Sequence, residues 1–498
     1  MTSRREILAT LAASGAGVFA SNVSEPAVDR DEPDVRVRDV RAFGAKGDGK
    51  TDDTIAFNAA TRAAEPWHEG LAGAIAVPPG TYRIDGTVFV RRGQSFSGAG
   101  DATIIDASHA LGRTIALGSS ARGIDPGGAP ATVERLRFLG GSGTAPLIQA
   151  PLEGFAIRDL FISAAGTAIE VTGADGLVAG IIIDQALNGL VLRGARNVLV
   201  EGLVSYLANY AVTVDGGTSD VGLSNLILGY SRVASVLFAD GATGITSVRV
   251  ANATFTSSLQ YPGFVGHVHA RSAPFDAQFS GCVFRNWREH AVVQGAGSGA
   301  ELSFSDCTFD AARSHPSYNA SNTAKGIRTG ADGRFRLDNC RFRNLAGEVA
   351  MIGPGLRGFS MIGGAIEDCA GDPLRVAAAP AGRVRVRGTE GFGRRIKAAG
   401  VSAIALPWIG ASTAWRVTAS STTSPGGIAD AAVVVTEAGG TITCTMAEGA
   451  RYGAMPALTA TLGAGPGGPS RAPYARGSGL LCVSASMPNL DWTAETIG

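Results

Sequence analysis

The chain is short of charge, and the charge it has cancels. Only 17% of its 498 residues are Asp, Glu, Lys or Arg, and 43 basic residues face 43 acidic ones. Such a balance gives no global field for holding nucleic acid or an anionic membrane surface, so neither is an expected partner. Cysteines number six, too few for a disulfide-dense scaffold. Histidines also number six, so a place where several gather stands out. No segment beyond the N-terminus is long and apolar enough for a transmembrane helix. The glycines do not argue for a nucleotide site: Gly44-Ala45-Lys46-Gly47-Asp48-Gly49-Lys50-Thr51 has the spelling of a phosphate loop but is read as a tight turn, and Gly463-x-Gly465-x-x-Gly468 runs into Pro469 rather than a helix.

What is abundant is glycine, 69 residues without a triplet period, in a chain that is 45% apolar. Many glycines among short apolar runs mark many tight turns, and hence an all-β architecture. The N-terminus pairs Arg4-Arg5 with an apolar, small-residue run from Ile7 to Ala20. That pattern reads as an export signal over residues 1–27, and the paired arginines make it resemble a twin-arginine signal. The mature chain is then expected in the periplasm or outside the cell.

Residues Val40 to Thr54 read Val-Arg-Ala-Phe-Gly-Ala-Lys-Gly-Asp-Gly-Lys-Thr-Asp-Asp-Thr, followed by an Ala-rich stretch and then Val77-Pro78-Pro79-Gly80-Thr81-Tyr82. The order is strand, glycine turn, capped helix, strand, with Asp52 or Asp53 able to accept backbone N–H groups at the helix start. This opening resembles that of the pectate-lyase superfamily, which includes polygalacturonase-like and rhamnogalacturonase-like hydrolases, lyases, epimerases and phage tailspikes. The resemblance covers Val40 to about Ile84. It implies a single-stranded right-handed parallel β-helix, a solenoid whose open end is plugged by the helix, and a polysaccharide as substrate.

From Ile157 to about Gly388 the sequence divides into rungs of about 21 to 34 residues, and about nine stacked coils are expected. The first strand of each rung has apolar residues two apart, as in Leu160/Ile162, Ile181/Ile183, Cys282/Phe284, Cys307/Phe309 and Cys340/Phe342, so one face is buried. Equivalent positions lie about 4.8 Å apart. Cys282, Cys307 and Cys340 are therefore expected as an internal thiol ladder, beside stacked Phe284, Phe309 and Phe342.

The second strand of each rung locates the candidate site. Aligning the rungs turns Ile169, Leu190, Val212, Val268 and Ile327 inward. Strict alternation then sends His267, His269 and Arg271 outward on one face, with His290 and Arg328 on neighbouring rungs. Two rungs carry insertions at the same turn, 256–265 and 311–324, which are expected to wall a groove. Tyr261, Trp287 and Tyr318 could supply aromatic platforms for sugar rings there.

On a uronic-acid polymer this patch could support β-elimination: His267 or His269 as base, Tyr261 or Lys325 as acid, and Arg271 or Arg328 on the sugar carboxylate, with His290 a further catalytic candidate beside them. A glycoside hydrolase would instead need two carboxyl groups about 5 to 9.5 Å apart. Asp306 and Asp310, in one strand, stand too far apart, leaving Glu289 with Asp310 across rungs. The Asn-Thr-Asp, Asp-Asp and Gly-His-Gly motifs of polygalacturonase-like enzymes and the Tyr-Gly-x-Asp-Pro-His type of epimerase site do not occur in the coil. Arg395-Ile396-Lys397 matches a remaining polygalacturonase motif without its partners. A non-catalytic carbohydrate-binding or envelope solenoid is the third alternative. No metal ligand set is apparent and no cofactor is required, although calcium held by carboxylates such as Glu170 or Asp215 stays open. The solenoid is expected over residues 28–397. Residues 398–498 read as a small β-sandwich-like module for capping or oligomerisation, with Cys444 and Cys482 able to pair across it. Monomer and homotrimer are both open.

Overall fold

The structure is a computed structural model. It describes residues 37–498 except 65–72, 119–129, 142–144, 164–165, 240–243, 257–260, 272–274, 296–298, 312–323, 331, 354, 370–373, 377–382, 388, 390–393, 399–400, 408–411, 422–426, 439–440, 453–454, 456, 463–479, 486–489 and 497–498. The export-signal reading of residues 1–27 lies outside the described residues.

Two parallel sheets carry the coil stack, a long one of 24 strands and a short one of 12. A regular coil, such as the one holding Phe275–Ser280, Val283–Arg285 and His290–Gln294, gives two strands to the long sheet and one to the short sheet. Successive coils pair in parallel, with Phe284 opposite Phe309 and Phe309 opposite Phe342. The result is a parallel β-solenoid. Its short-sheet strands outnumber the nine coils read from sequence because the stack already begins at Val88–Val90 and Ile115–Leu117, before the repeat becomes regular.

The helix Thr54–Ala63 closes the first coils. Its Phe57 ring is buried against Tyr82 and Phe96, with centroids 5.3 and 5.6 Å away. The two neighbouring acids before it have separate jobs. Asp52 Oδ1 accepts the Thr54 N–H at 3.0 Å, whereas the buried Asp53 carboxylate accepts from Lys46 N (2.7 Å) and Gly47 N (3.1 Å), fixing the glycine turn.

Between the two long-sheet strands of each coil one residue adopts a left-handed conformation: Asn225, Asn252, Gly281, Asp306 and Asn339, with φ from 50° to 60°. Gly, Asn and Asp tolerate that region best. The residue that follows turns inward, which is why Cys282, Cys307 and Cys340 are buried on adjacent coils. Their Sγ atoms lie against backbone carbonyls, 3.4 Å from Ser280 O for Cys282 and 3.3 Å from Ser305 O for Cys307. The thiol of Cys307 is eased down by its bond with Cys282 but pushed harder up by its bond with Cys340 and by burial, to about 12. The Cys282 and Cys307 thiols are thereby kept protonated, and all three buried cysteines act as small apolar side chains. Beside them Phe255, Phe284, Phe309 and Phe342 stack with centroids 4.4, 4.5 and 4.7 Å apart and planes within 5° of parallel.

The C-terminal region forms two four-stranded antiparallel sheets. Arg394–Ala398 pairs with Val401–Pro407 in one of them, so Arg395-Ile396-Lys397 lies outside the coils. Cys444 belongs to one sheet and Cys482 to the other. Their side chains, and with them the pairing expectation, lie outside the described residues.

Candidate functional site

The register of the short sheet sorts its side chains into columns. Ile169, Leu190, Val212, Val268 and Ile327 form one inward column, as the alternation implied. The residue after each forms an outward column: Glu170, Val191, Thr213, Leu237, His269, Val293, Arg328 and Met351. Over Val191, Thr213 and Leu237 this column is buried, but it opens at His269, which is half-buried, and reaches solvent at the exposed Arg328. His269 and Arg328 thus share one face, two coils apart, or about 10 Å at the usual strand spacing. Arg271 stands two residues beyond His269 and sends its Nη2 back to donate to Tyr210 Oη at 3.1 Å.

Three expected site residues are not where strict alternation placed them. His267 is wholly buried. At the start of the short-sheet strand the chain turns a corner, and two successive residues, His267 and Val268, both face the core. The column of His267 is otherwise Ala211, Ser235, Ala291 and Gly326, small residues in a confined space. Its imidazole is ringed by Phe255, Phe264, Phe284 and Trp287. Nε2 lies 3.0 Å from Arg285 O and Nδ1 3.0 Å from Ser235 Oγ. A carbonyl can only accept, so Nε2 carries the hydrogen and Nδ1 accepts from the hydroxyl. Burial holds this imidazole neutral by lowering its pKa to about 4, and with both nitrogens engaged it is a core residue, not a base.

Trp287 is likewise buried and offers no sugar platform; its Nε1–H donates to Lys325 O at 2.6 Å and holds that strand in place. His290 is also buried rather than outward, but its setting is different. It heads a column that continues to Lys325 on the next coil and Glu348 on the one after. Lys325 Nζ is 3.6 Å from Glu348 Oε1. His290 Nε2 is buried and has no hydrogen-bond partner among the described residues. Burial chiefly, then the positive charges of Lys325 and Arg328, lower its pKa to about 4, while Glu289 and Glu348 act in the opposite sense. A neutral imidazole, an ammonium and a carboxylate therefore stand together beside the His269–Arg328 column.

Of the other expected residues, Glu289 is exposed beside His290, and its carbonyl accepts from Lys325 N at 2.6 Å. Tyr261 is half-buried and packs against the core. Asp310 is not brought into the patch: its Oδ1 accepts from Asn344 Nδ2 at 2.8 Å in the turn ladder. Tyr318 lies outside the described residues, as do 257–260 of the first wall segment and 312–323 of the second. Glu348 was not singled out in the sequence, although extending the strand register by one coil past Lys325 would have found it. Between Glu170 and Asp215 stands the Arg193 guanidinium, Nη1 3.3 Å from Glu170 Oε1 and Nε 3.0 Å from Asp215 Oδ2. Among the described residues no group of three or more His, Cys, Asp and Glu is arranged to hold a metal ion, and no helix is long and apolar enough to cross a membrane.

The chain is similar to several known proteins over part of its length. Alginate lyase 7 of Azotobacter vinelandii is 53% identical over 47 residues, which span 9% of this chain and 5% of that protein. The catalytic domain of a GH87 alpha-1,3-glucanase, solved in complex with nigerose, superposes with a TM-score of 0.51 at 11% identity, covering 72% of this chain and 68% of that one. The family 28 exopolygalacturonase of Yersinia enterocolitica gives a TM-score of 0.45 at 13% identity over 72% of this chain and 79% of that one. Residues 37–142 match the family described as rhamnogalacturonase A/epimerase, pectate lyase-like, and the coils that follow have the parallel β-helix fold shared with the glucanase domain.

Proposed function

We propose that this chain is an exported polysaccharide-active enzyme that cleaves an acidic, uronic-acid-containing polymer by β-elimination on the open part of the short sheet. The observation that carries this reading is the convergence of cationic and imidazole groups where the outward column opens: His269 and Arg328 on the face, with Lys325 beside them on Glu348 and His290. The pectate lyase-like match at residues 37–142 and the short identity to an alginate lyase support the substrate class. The Arg4-Arg5 signal pattern supports export.

In this reading Arg271 and Arg328 take the sugar carboxylate, so that negative charge developing on it meets fixed cations. Neutral His269 removes the proton α to that carboxylate. The electron pair of the C–H bond forms the new C=C double bond as the bond to the glycosidic oxygen breaks. The Lys325 ammonium, held by Glu348, protonates the leaving oxygen. A panel of alginate, polygalacturonate and neutral glucans, assayed for both unsaturated-product absorbance and reducing ends, tests the reaction. His269→Ala is expected to lower kcat about 100-fold or more. Reducing ends without the unsaturated chromophore would sink the elimination.

A hydrolytic reading has one observation of its own, the convergence of Glu170 and Asp215 on Arg193 from coils two apart. Two coils correspond to about 10 Å between backbones, near the upper limit for an inverting carboxylate pair. Under that reading Glu170→Gln abolishes activity while His269→Ala spares it.

A further inference from the structure

The last coils carry a charge imbalance that the site on the short sheet does not use. Between residues 334 and 387 the chain holds nine arginines and no lysine against five acids, in a protein whose total charges cancel. The long-sheet register arranges many of these arginines on one outer face. Arg336 stands opposite Ser303 and Ser360, and Ser360 stands opposite Arg385. Arg334 and Arg341 are also exposed, in the strands Arg334–Asp338 and Arg341–Arg343 on either side of the left-handed Asn339; the Phe335, Leu337 and Phe342 of these strands are buried in the core.

The acids on this face anchor the arginines by one edge. Arg336 Nε is 2.6 Å from Asp338 Oδ2, Arg341 Nε 3.3 Å from Glu367 Oε1, and Arg343 Nε 2.9 Å from Glu367 Oε2. In these three the contact is made through Nε, whereas Arg334 meets Glu301 through Nη1, 3.4 Å from its Oε1. A guanidinium held at Nε keeps the edge formed by its two terminal nitrogens outside that contact. That two-pronged edge fits a planar carboxylate. The side chains of Arg336 and Arg341 are more than half exposed, and Arg385 is exposed as well. Their neighbours in the strip, Ser303 and Ser360, are small, so a flat, extended polymer can lie across the guanidinium edges. Aromatic side chains, which would stack bases, point inward here rather than onto this face, an arrangement that favours a polyuronate over a single-stranded nucleic acid.

We propose that this strip, Arg334, Arg336, Arg341 and Arg385, is a second binding surface for an anionic polysaccharide, separate from the catalytic face and holding the polymer while the short sheet acts on it. The class of polymer rests on the reading above; the surface itself does not. Affinity electrophoresis of the full chain in gels containing alginate, dextran or double-stranded DNA tests it. The wild type is expected to be retarded by alginate and not by dextran, with the retardation fading as salt is raised. The Arg336→Gln/Arg341→Gln/Arg385→Gln variant alters exposed side chains only. Checked for an unchanged melting temperature, it is expected to bind alginate at least fivefold more weakly, whereas His269→Ala keeps full retardation. A wild type that alginate does not retard, or a triple variant retarded as strongly as the wild type, overturns the proposal. Stronger retardation by DNA than by alginate overturns it in favour of a nucleic-acid surface. Binding lost in the triple variant of a protein that cleaves no polymer would keep this surface and sink only the enzyme reading.

Discussion

At the residue scale the decisive distinction is between two buried histidines. His267 has both ring nitrogens occupied and aromatic rings on its sides, whereas His290 Nε2 has no hydrogen-bond partner among the described residues and its ring feels the charges of Lys325 and Glu348. Alternation could not separate them, because it carries no knowledge of the corner where two successive residues turn inward. The warning was nonetheless in the sequence: the positions equivalent to His267 are Ala211, Ser235, Ala291 and Gly326, a column with room only inside. The Lys325–Glu348 pair gives a prediction at this scale. Lys325→Met leaves the nearly buried Glu348 carboxylate without its cation and is expected to cost about 2–3 kcal/mol of stability. The double variant Lys325→Met/Glu348→Gln removes both charges and is expected to recover most of that loss in urea titrations. If Lys325 is the proton donor, turnover stays at least tenfold down in both variants. A double variant that regains turnover along with stability would reduce Lys325 to a structural role.

At the scale of elements, the ladders were the most legible part of the fold. A Cys-x-Phe pattern repeated on three rungs requires only period two and a constant rung shape to become a thiol column and a ring stack. The left-handed Asn, Asp or Gly before each inward residue supplies that constant shape. What remained illegible were the wall segments, whose lengths break the repeat, so that no equivalent position on a neighbouring rung told from the sequence which way a residue such as Tyr261 points. The ring stack also sets where the stack is most sensitive. Phe309 is fully buried between Phe284 and Phe342 at 4.5 and 4.7 Å. Phe309→Ala is expected to destabilise by about 3–5 kcal/mol, measured by chemical unfolding, because adjacent coils cannot collapse into the space without breaking register. Phe359→Ala removes a ring whose Phe335 partner stands at 6.2 Å, and a smaller loss is expected there. Equal losses would mean that the stack contributes hydrophobic area alone.

At the scale of the whole molecule, the two buried histidines tie folding to pH. Both have a pKa lowered from 6.5 to about 4, so between those values the unfolded chain binds protons that the folded chain refuses. Stability is therefore fully present above about pH 6.5 and falls as the pH drops toward 4. Each histidine contributes on the order of 2–3 kcal/mol to that fall. In a solenoid each coil leans on its neighbours, and both histidines sit in consecutive short-sheet strands, Gly266–Ala270 and His290–Gln294, so their protonation loosens the same stretch of the stack. Substituting a side chain that does not titrate separates this linkage from ordinary packing loss. His267→Gln lowers stability at neutral pH, because the ring contacts and one of its hydrogen bonds are lost. Between pH 6.5 and 4, however, its stability falls about half as steeply as that of the wild type, since only His290 remains to take up a proton. Unfolding titrations at half-unit pH steps read the two slopes directly. Parallel curves for wild type and variant would show that His267 is already charged in the folded protein, contrary to its sealed hydrogen-bonded setting.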